Sequence, residues 1–106
     1  MEIIFEEEYL RDLYEEGKAR NKKYRFQPQV IKRYIQTIDK LRAAKNTEEL
    51  YPIKSLNYEK LIGNKKGLES VRVDNKYRIE FKTEMKGSAP HTLTICSIIE
   101  LSNHYK

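Results

Sequence analysis

Apolar residues recur at three- and four-residue spacing in two segments of the first half of the chain. The first segment, Glu7 to Lys18, predicts an amphipathic helix, and Gly17 can end it in a left-handed conformation. The second begins at Gln27-Pro28, where proline suits the first helical turn, and ends near Ala44. Its apolar stripe consists of Val30, Ile31, Tyr34, Ile35, Ile38 and Leu41. Both helices are therefore expected to bury one face.

The period changes to two in the second half, which predicts strands. Ser70–Val73 and Tyr77–Phe81 alternate between apolar and polar residues, and Asp74-Asn75-Lys76 between them favours a hairpin turn. Thr92 to about Leu101 is apolar on both faces and is expected to lie inside the sheet. Ile3-Ile4-Phe5 can form a short first strand.

The order of these elements predicts a single α+β domain over residues 1–106, with two N-terminal helices packed on one face of a small, mainly antiparallel sheet. Residues 51–67 carry Pro52 and two glycines and are interpreted as an ordered loop, and residues 85–90 as a turn. The polar side of the hairpin carries Ser70, Arg72, Arg78, Glu80 and Lys82. If the helices cover the other side, this side is available for binding.

Composition adds a charge bias to this picture. The chain has 21 Lys and Arg against 16 Asp and Glu, a net charge of +5, which suggests an anionic partner, most often nucleic acid. A solvated, slightly basic surface is the alternative. The single cysteine, Cys96, lies in a strand-like apolar run and is interpreted as a core residue. Without a signal peptide or an apolar run of about 20 residues, we expect a cytoplasmic protein that does not enter a membrane.

Known catalytic motifs are missing from the chain, which has no phosphate-binding glycine loop and no zinc signature, so we expect no metal and no cofactor. What remains is a dense run of cations in residues 60–82, with Tyr58 and Tyr77 interleaved. The cations are Lys60, Lys65, Lys66, Arg72, Lys76, Arg78 and Lys82. Such a pattern suits RNA, because cations bind phosphates and aromatic rings stack on bases. A solvated sheet face with lysines along its edges is the other interpretation.

Two residues could carry chemistry. Arg78 lies in the middle of an alternating strand. It could bind a phosphate with two hydrogen bonds and stabilise the extra charge of a phosphorane-like transition state. The alternative is an ion pair with Glu80. His104 could exchange a proton near neutral pH, unless it is a frayed residue near the end of the chain.

Several segments together resemble the HigB group of toxins in the RelE/ParE superfamily. Leu13–Lys18 is similar to that group's Leu-Tyr-x-x-Gly-Lys, and Leu41–Leu50 to its Leu-x-x-Ala-x-x-x-x-Asp/Glu-Leu. Lys60–Gly67 resembles Leu-Lys-Gly-Asp-Arg-x-Gly and runs directly into Ser70–Phe81, which resembles Ser-Ile-Arg-Ile-Asn-x-x-Trp/Tyr-Arg-Ile-x-Phe. Glu100–Tyr105 corresponds in place to a tail of Glu-x-x-Asp-Tyr-His. The resemblance covers nearly the whole chain, and the segment from 61 to 81 is its most specific part.

The resemblance implies a RelE-like fold and a toxin of a type II toxin-antitoxin system. It implies an endoribonuclease that cuts messenger RNA on the ribosome without a metal, by attack of a ribose 2′-hydroxyl on its own adjacent phosphate. The implied partners are a cognate helix-turn-helix antitoxin of the HigA type, the ribosome and mRNA, with operator DNA bound only through the antitoxin complex. Two alternatives stay open: a toxin of the same fold that binds DNA gyrase, as in the ParE branch, and a degenerate toxin that binds only its antitoxin.

On this resemblance Arg78 would hold the scissile phosphate, and Asn103, His104 and Tyr105 would line the same site. The chain departs from the family in its tail. Asn103 replaces an acidic residue and cannot act as a base, and the Tyr-His pair is exchanged to His104-Tyr105, which should move the imidazole to the other side of an extended strand.

Other residues are expected to compensate for these departures. Lys60 is expected to supply a missing cation and Glu59 a base. Residues expected to bind RNA or the ribosome are Lys65, Lys66, Arg72, Lys76, Lys82 and Tyr58.

Overall fold

Two helices lie against one face of a five-stranded sheet in the computed structural model, which describes residues 1–103. The elements are β1 (Glu2–Phe5), α1 (Glu8–Glu16), α2 (Pro28–Ala43), β2 (Glu59–Lys60), β3 (Glu69–Arg72), β4 (Tyr77–Ser88) and β5 (His91–Asn103). The strand order is β1-β5-β4-β3-β2. The β1 strand runs parallel to β5, and the other neighbours are antiparallel. The predicted α+β architecture is confirmed.

Both predicted helices form for the expected reasons. Gly17 adopts φ 74°, and its N–H donates to the carbonyl of Leu13 at 3.2 Å, which closes α1. Proline opens α2 at its first position. Leu10 of α1 and Tyr34 of α2 are fully buried, and the Tyr34 hydroxyl donates to the Leu10 carbonyl at 2.8 Å. This hydrogen bond joins the two helices inside the core.

The apolar side of the sheet completes the core beneath the helices. Val71, Ile79 and Leu101 lie directly opposite one another on β3, β4 and β5, and all three are buried. Phe81 and Ile98 form the next row and are fully buried. A β-bulge at Ile99 separates these rows, since Glu80 lies opposite Glu100 while Phe81 lies opposite Ile98. The predicted hairpin between β3 and β4 is confirmed, with Val71 and Ile79 on the core side and Arg72 and Arg78 on the other.

The structure corrects the sequence-based interpretation in two places. The predicted turn over residues 85–90 is mostly strand, because β4 continues to Ser88, β5 begins at His91, and pairs such as Lys86 opposite Leu93 extend the ladder. The segment 51–67, interpreted as a loop, contains the two-residue strand β2, which is too short to leave a periodic signal. Leu50 and Leu56 anchor the neighbouring turns in the core. No helix in the described part of the chain is both long and apolar enough to cross a membrane.

Candidate nucleic-acid site

Polar side chains line up in rows on the side of the sheet that faces away from the helices. We call this side the outer face; it carries Ser70, Arg72, Arg78, Glu80 and Ser102. Arg78 on β4 lies directly opposite Arg72 on β3 and Ser102 on β5, and Glu80 lies opposite Ser70. Directly opposite residues project to the same face. Arg78 thus lies in the middle of one polar row, and Glu80 lies in the neighbouring row on the same face.

A buried carboxylate organises the cations of this face. The Glu80 side chain is 1% exposed, and both of its oxygens lie 2.8 Å from Lys65 Nζ. Its Oε2 also accepts a hydrogen bond from Arg78 Nε at 3.0 Å and lies 2.9 Å from Nη2 in an ion pair. Two cations thus compensate the charge of a buried carboxylate. The three side chains keep one net positive charge.

Lys65 reaches Glu80 because its loop folds back over the outer face. The Leu61 N–H donates to the Leu68 carbonyl at 2.9 Å, which closes the loop at its base. Gly63 and Gly67 adopt φ 67° and φ 97°, in the left-handed region where glycine carries no steric penalty. The tight loop between them presents Lys65 from the turn Gly63–Lys65. The glycines noted in the sequence therefore serve to place a cation.

One side of the Arg78 guanidinium remains available to a ligand. Glu80 engages the Nε and Nη2 atoms, while Nη1 has no hydrogen-bond partner within residues 1–103. The Arg78 side chain is 14% exposed among the described residues, so it is largely buried but still reaches solvent. A guanidinium N–H can donate a charge-assisted hydrogen bond to a phosphate oxygen. The geometry therefore allows Arg78 to bind an anion while Glu80 fixes its orientation.

Separate acceptors hold the two opposed arginines. Like charges placed directly opposite destabilise a sheet unless something compensates them. Arg72 Nε donates to the Asp74 carbonyl at 3.3 Å, and its Nη2 donates to the Asn75 side chain, so Arg72 turns toward the β3–β4 turn. Arg78 turns toward Glu80 instead. The Asp74 carboxylate is occupied by two backbone N–H groups of the turn, at 2.8 Å each, and neutralises neither arginine.

The structure brings Glu59 to the Arg78 face but not Lys60. Glu59 lies opposite Ser70, whose other neighbour is Glu80, so it projects to the outer face. Lys60 lies opposite Glu69, which shares the helix side with Phe81. Asn103 lies opposite Tyr77 and so also projects to the helix side. His104 and Tyr105 lie outside the described residues.

The side chains expected to bind RNA or the ribosome are spread over several surfaces. Lys66 is exposed beside the Lys65 turn, and Lys76 lies in the β3–β4 turn. Lys82 is on the outer face, with its Nζ 3.9 Å from a Glu6 carboxylate oxygen. All three lysines are exposed.

Tyr58 is not brought to the Arg78 face. Its hydroxyl donates to the buried Glu69 carboxylate at 2.6 Å, and its ring centroid lies 6.3 Å from that of the core residue Phe81. Burial, followed by the Glu69 hydrogen bond, raises the pKa of the Tyr58 hydroxyl. Glu69 also accepts from the Thr83 hydroxyl at 2.7 Å. Tyr58 therefore satisfies a buried carboxylate on the helix side.

Sequence reasoning considered Glu80 only as an alternative partner for Arg78, and missed its place at the centre of the site. The available signal was the two-residue spacing from Arg78, which puts both side chains on one face of a strand. Its burial and its contact with Lys65 depend on the fold of a distant loop. Within residues 1–103, no group of three or more His, Cys, Asp or Glu side chains converges in a way that could hold a metal ion.

The comparisons with known proteins first define a class through the fold. The structure resembles the YoeB/ParE toxin from Agrobacterium tumefaciens with a TM-score of 0.56 and 17% sequence identity, covering 99% of this chain and 100% of that chain. This likeness shows a RelE/ParE-type toxin fold. No curated protein matches the chain.

The family follows from the sequence itself. The model of the HigB-like toxins, described as RelE-like toxins of the type II toxin-antitoxin system HigB, matches residues 3–91. The chain therefore belongs to the HigB-like toxin family, and membership of a type II toxin family implies an antitoxin partner. The matched segment contains Lys65, Arg78 and Glu80 and ends before the tail that begins at Glu100.

Proposed function

We propose that this HigB-like toxin is an endoribonuclease that cuts messenger RNA on the ribosome and so inhibits translation. The observation that carries the proposal is the geometry of Arg78, which lies at the centre of the outer face with its Nε and Nη2 held by buried Glu80. An arginine held in one orientation can stabilise the extra charge of a phosphorane-like transition state without reorganising as it forms. Lys65, bound to the same carboxylate, adds a second positive charge.

The reaction requires a base and an acid in addition to the cations. A base removes the proton of the ribose 2′-hydroxyl, whose oxygen forms a bond to the adjacent phosphorus. The bond from phosphorus to the 5′-oxygen then breaks, and an acid protonates that oxygen. The products are a 2′,3′-cyclic phosphate and a 5′-hydroxyl. Glu59 is our candidate base, because it projects to the face that carries Arg78.

The tail supplies the remaining candidates, His104 and Tyr105, either of which has the chemistry of a general acid. Asn103, whose side chain projects to the helix side, is assigned no proton transfer. The exposed cations Lys66, Lys76 and Lys82 are proposed to bind phosphates of the message or of ribosomal RNA. The cognate antitoxin is proposed to be a helix-turn-helix protein of the HigA type, through which alone the complex binds operator DNA. All of this takes place in the cytoplasm.

The proposal is tested by controlled expression in a bacterium, with primer extension on one chosen message. That message is compared with and without a functional start codon, so that translation is the only variable. We expect cuts in register with codons on the translated message, none on the untranslated one, and none with Arg78→Ala. The matched control is Arg11→Ala, which removes an exposed arginine from α1 and should cut like the unmodified chain.

Two other outcomes separate the alternatives. Growth arrest without cuts would reject the nuclease and point to a different target, such as the gyrase that ParE-type toxins bind. The features that leave room for this alternative are Asn103, where the family has an acidic residue, and Ile62, where it has a lysine. No arrest at all would point to a degenerate toxin that binds only its antitoxin.

A further inference from the structure

A cleft of about 690 Å³ opens on a part of the surface that the proposed reaction does not use. It lies between the start of α2, the turn Lys54–Leu56 and the β3–β4 turn. Lys65, Arg78 and Glu80 do not line it. Its cationic lining side chains are Arg25, Arg33, Lys40, Arg72 and Lys76. We call this the hairpin cleft.

The hairpin cleft gathers positive charge with little compensation. Five cationic side chains and one carboxylate, Asp74, line it, so four positive charges are in excess, against a net charge of +5 for the whole chain. The Asp74 carboxylate accepts two backbone N–H groups and, within residues 1–103, forms no ion pair with Arg25, Arg33, Lys40 or Arg72. Arg33 and Lys40 are exposed and form no ion pair within residues 1–103. A concave surface with one sign of charge concentrates the field and attracts a polyanion.

The spacing of the cations suits an extended anion better than a single small one. Arg33 and Lys40 are two helical turns apart on one side of α2, roughly 10 Å along its axis. Arg72, at the end of β3, and Lys76, in the β3–β4 turn, line the same cleft. A chain of phosphates could therefore contact both walls at successive positions.

Arg72 connects the cleft with the Arg78 row. It lines the cleft at the end of β3 and lies directly opposite Arg78 in the β3–β4 pair, whereas Tyr77, which also lines the cleft, projects to the helix side. The rings of Phe26 and Tyr77 meet edge to face with centroids 5.5 Å apart, and both side chains are partly exposed. Such rings can stack on unpaired bases. A single strand that leaves the cleft past Arg72, around the end of the sheet at the β3–β4 turn, would reach Arg78 on the outer face.

We propose that the hairpin cleft is a second RNA-binding site, which holds the phosphodiester backbone of a strand that flanks the bond to be cut. The inference rests on the proposed function, which makes RNA the ligand of the neighbouring face. An acidic protein segment is a weaker candidate, because Val30, Leu56 and Val73, the aliphatic side chains of the lining, are buried and offer no anchoring pocket.

The test measures binding rather than cleavage, with the full chain carrying Arg78→Ala so that the RNA stays intact. The variant Arg33→Ala with Lys40→Ala removes two cleft cations. The matched control, Lys22→Ala with Lys32→Ala, removes two exposed lysines that do not line the cleft. Fluorescence anisotropy with a labelled single-stranded RNA oligonucleotide gives Kd as a function of salt, and sedimentation with purified ribosomes gives the second affinity.

We expect the cleft variant to bind RNA roughly tenfold more weakly near physiological salt. The slope of log affinity against log salt should also fall in magnitude by about 1.4, because two phosphate contacts are lost and each contributes about 0.7 for a single strand. Weaker binding to both the oligonucleotide and ribosomes would assign the site to the message. Weaker binding to ribosomes alone would assign the cleft to ribosomal RNA and contradict the inference.

Two further results would overturn the inference: equal affinities and salt slopes for the cleft and control variants, or a cleft variant that weakens only the binding of the cognate antitoxin. Failure of the nuclease proposal remains distinguishable, since it would show as absent cleavage by the chain with Arg78 intact, whatever the binding results.

Discussion

Glu80→Gln is the substitution whose effect follows most directly from the structure. Glutamine keeps the volume of the side chain and removes the charge that Lys65 and Arg78 share. Removing one partner of a buried ion pair leaves an uncompensated buried charge and costs about 3–5 kcal/mol. Lys65 is 42% exposed and can turn toward water, whereas Arg78 is 14% exposed and cannot do so fully. We therefore expect a loss of about 3 kcal/mol, at the low end of that range.

Lys65→Met provides the internal comparison. It removes the more exposed cation and leaves the pair between Glu80 and Arg78, so its cost should resemble that of a surface pair, about 1 kcal/mol. Glu84→Gln removes an exposed carboxylate farther along β4 and should change stability by less than about 0.5 kcal/mol. The loss in free energy of unfolding should therefore be largest for Glu80→Gln, smaller for Lys65→Met and smallest for Glu84→Gln.

Urea unfolding followed by far-UV circular dichroism measures these differences, since the chain has no tryptophan for fluorescence. For a domain of this size, 1 kcal/mol corresponds to a shift in Tm of about 4–8 °C, so thermal unfolding should resolve Glu80→Gln from Lys65→Met. If Glu80→Gln unfolds at the same urea midpoint as Glu84→Gln, the buried carboxylate does not hold the outer face together and the reasoning is refuted.

Three further predictions concern other parts of the molecule. Glu59→Gln should lower cleavage on ribosomes by about 10²-fold or more, because Glu59 projects to the Arg78 face. Lys60→Gln should change cleavage little, because Lys60 projects to the helix side. Equal effects of the two substitutions would contradict the assigned faces. Burial raises the pKa of Tyr9 to about 12 from 10.0, so the unfolded state ionises first and the free energy of unfolding should fall as pH rises from about 10 to about 12. In urea titrations across that range, Tyr9→Phe should make the free energy of unfolding depend less on pH. At neutral pH the substitution should cost about 1 kcal/mol, because the Leu101 N–H loses its acceptor. An unchanged pH dependence would exclude Tyr9 as the source of the loss at high pH. Burial raises the pKa of the Cys96 thiol to about 12. Iodoacetamide at pH 8 should therefore label the unfolded chain and not the folded one. Rapid labelling of the folded chain would contradict the burial of the thiol.

The elements that the sequence predicted are those whose signal is local. The apolar stripe of α2, which includes Tyr34 and Ile38, has the helical period. Gly17 ends α1 because glycine readily adopts the left-handed conformation. The alternation on either side of the turn at Asp74 established which face Arg78 occupies. Family resemblance then placed the chain among the HigB-like toxins, and the family model confirms it.

What could not be predicted depends on contacts between distant segments. The long β4–β5 arm has exposed residues on both faces near its tip, so its pattern resembles a turn, although Met85 pairs with Thr94. The burial of Glu80 requires the Lys65 loop to fold over it. Tyr58 lies among surface cations in the sequence, but its hydroxyl bonds to a buried carboxylate on the other side of the sheet. No periodicity encodes these contacts.

The most direct test of the central proposal is cleavage of a defined message by the purified chain, with and without ribosomes, followed by analysis of the new RNA ends. We expect cuts only when ribosomes translate the message, with a 2′,3′-cyclic phosphate on one side and a 5′-hydroxyl on the other. Arg78→Ala should abolish the cuts, and Arg11→Ala should retain them. Equal cleavage by Arg78→Ala, or equal cleavage of the free message, would contradict the proposed mechanism.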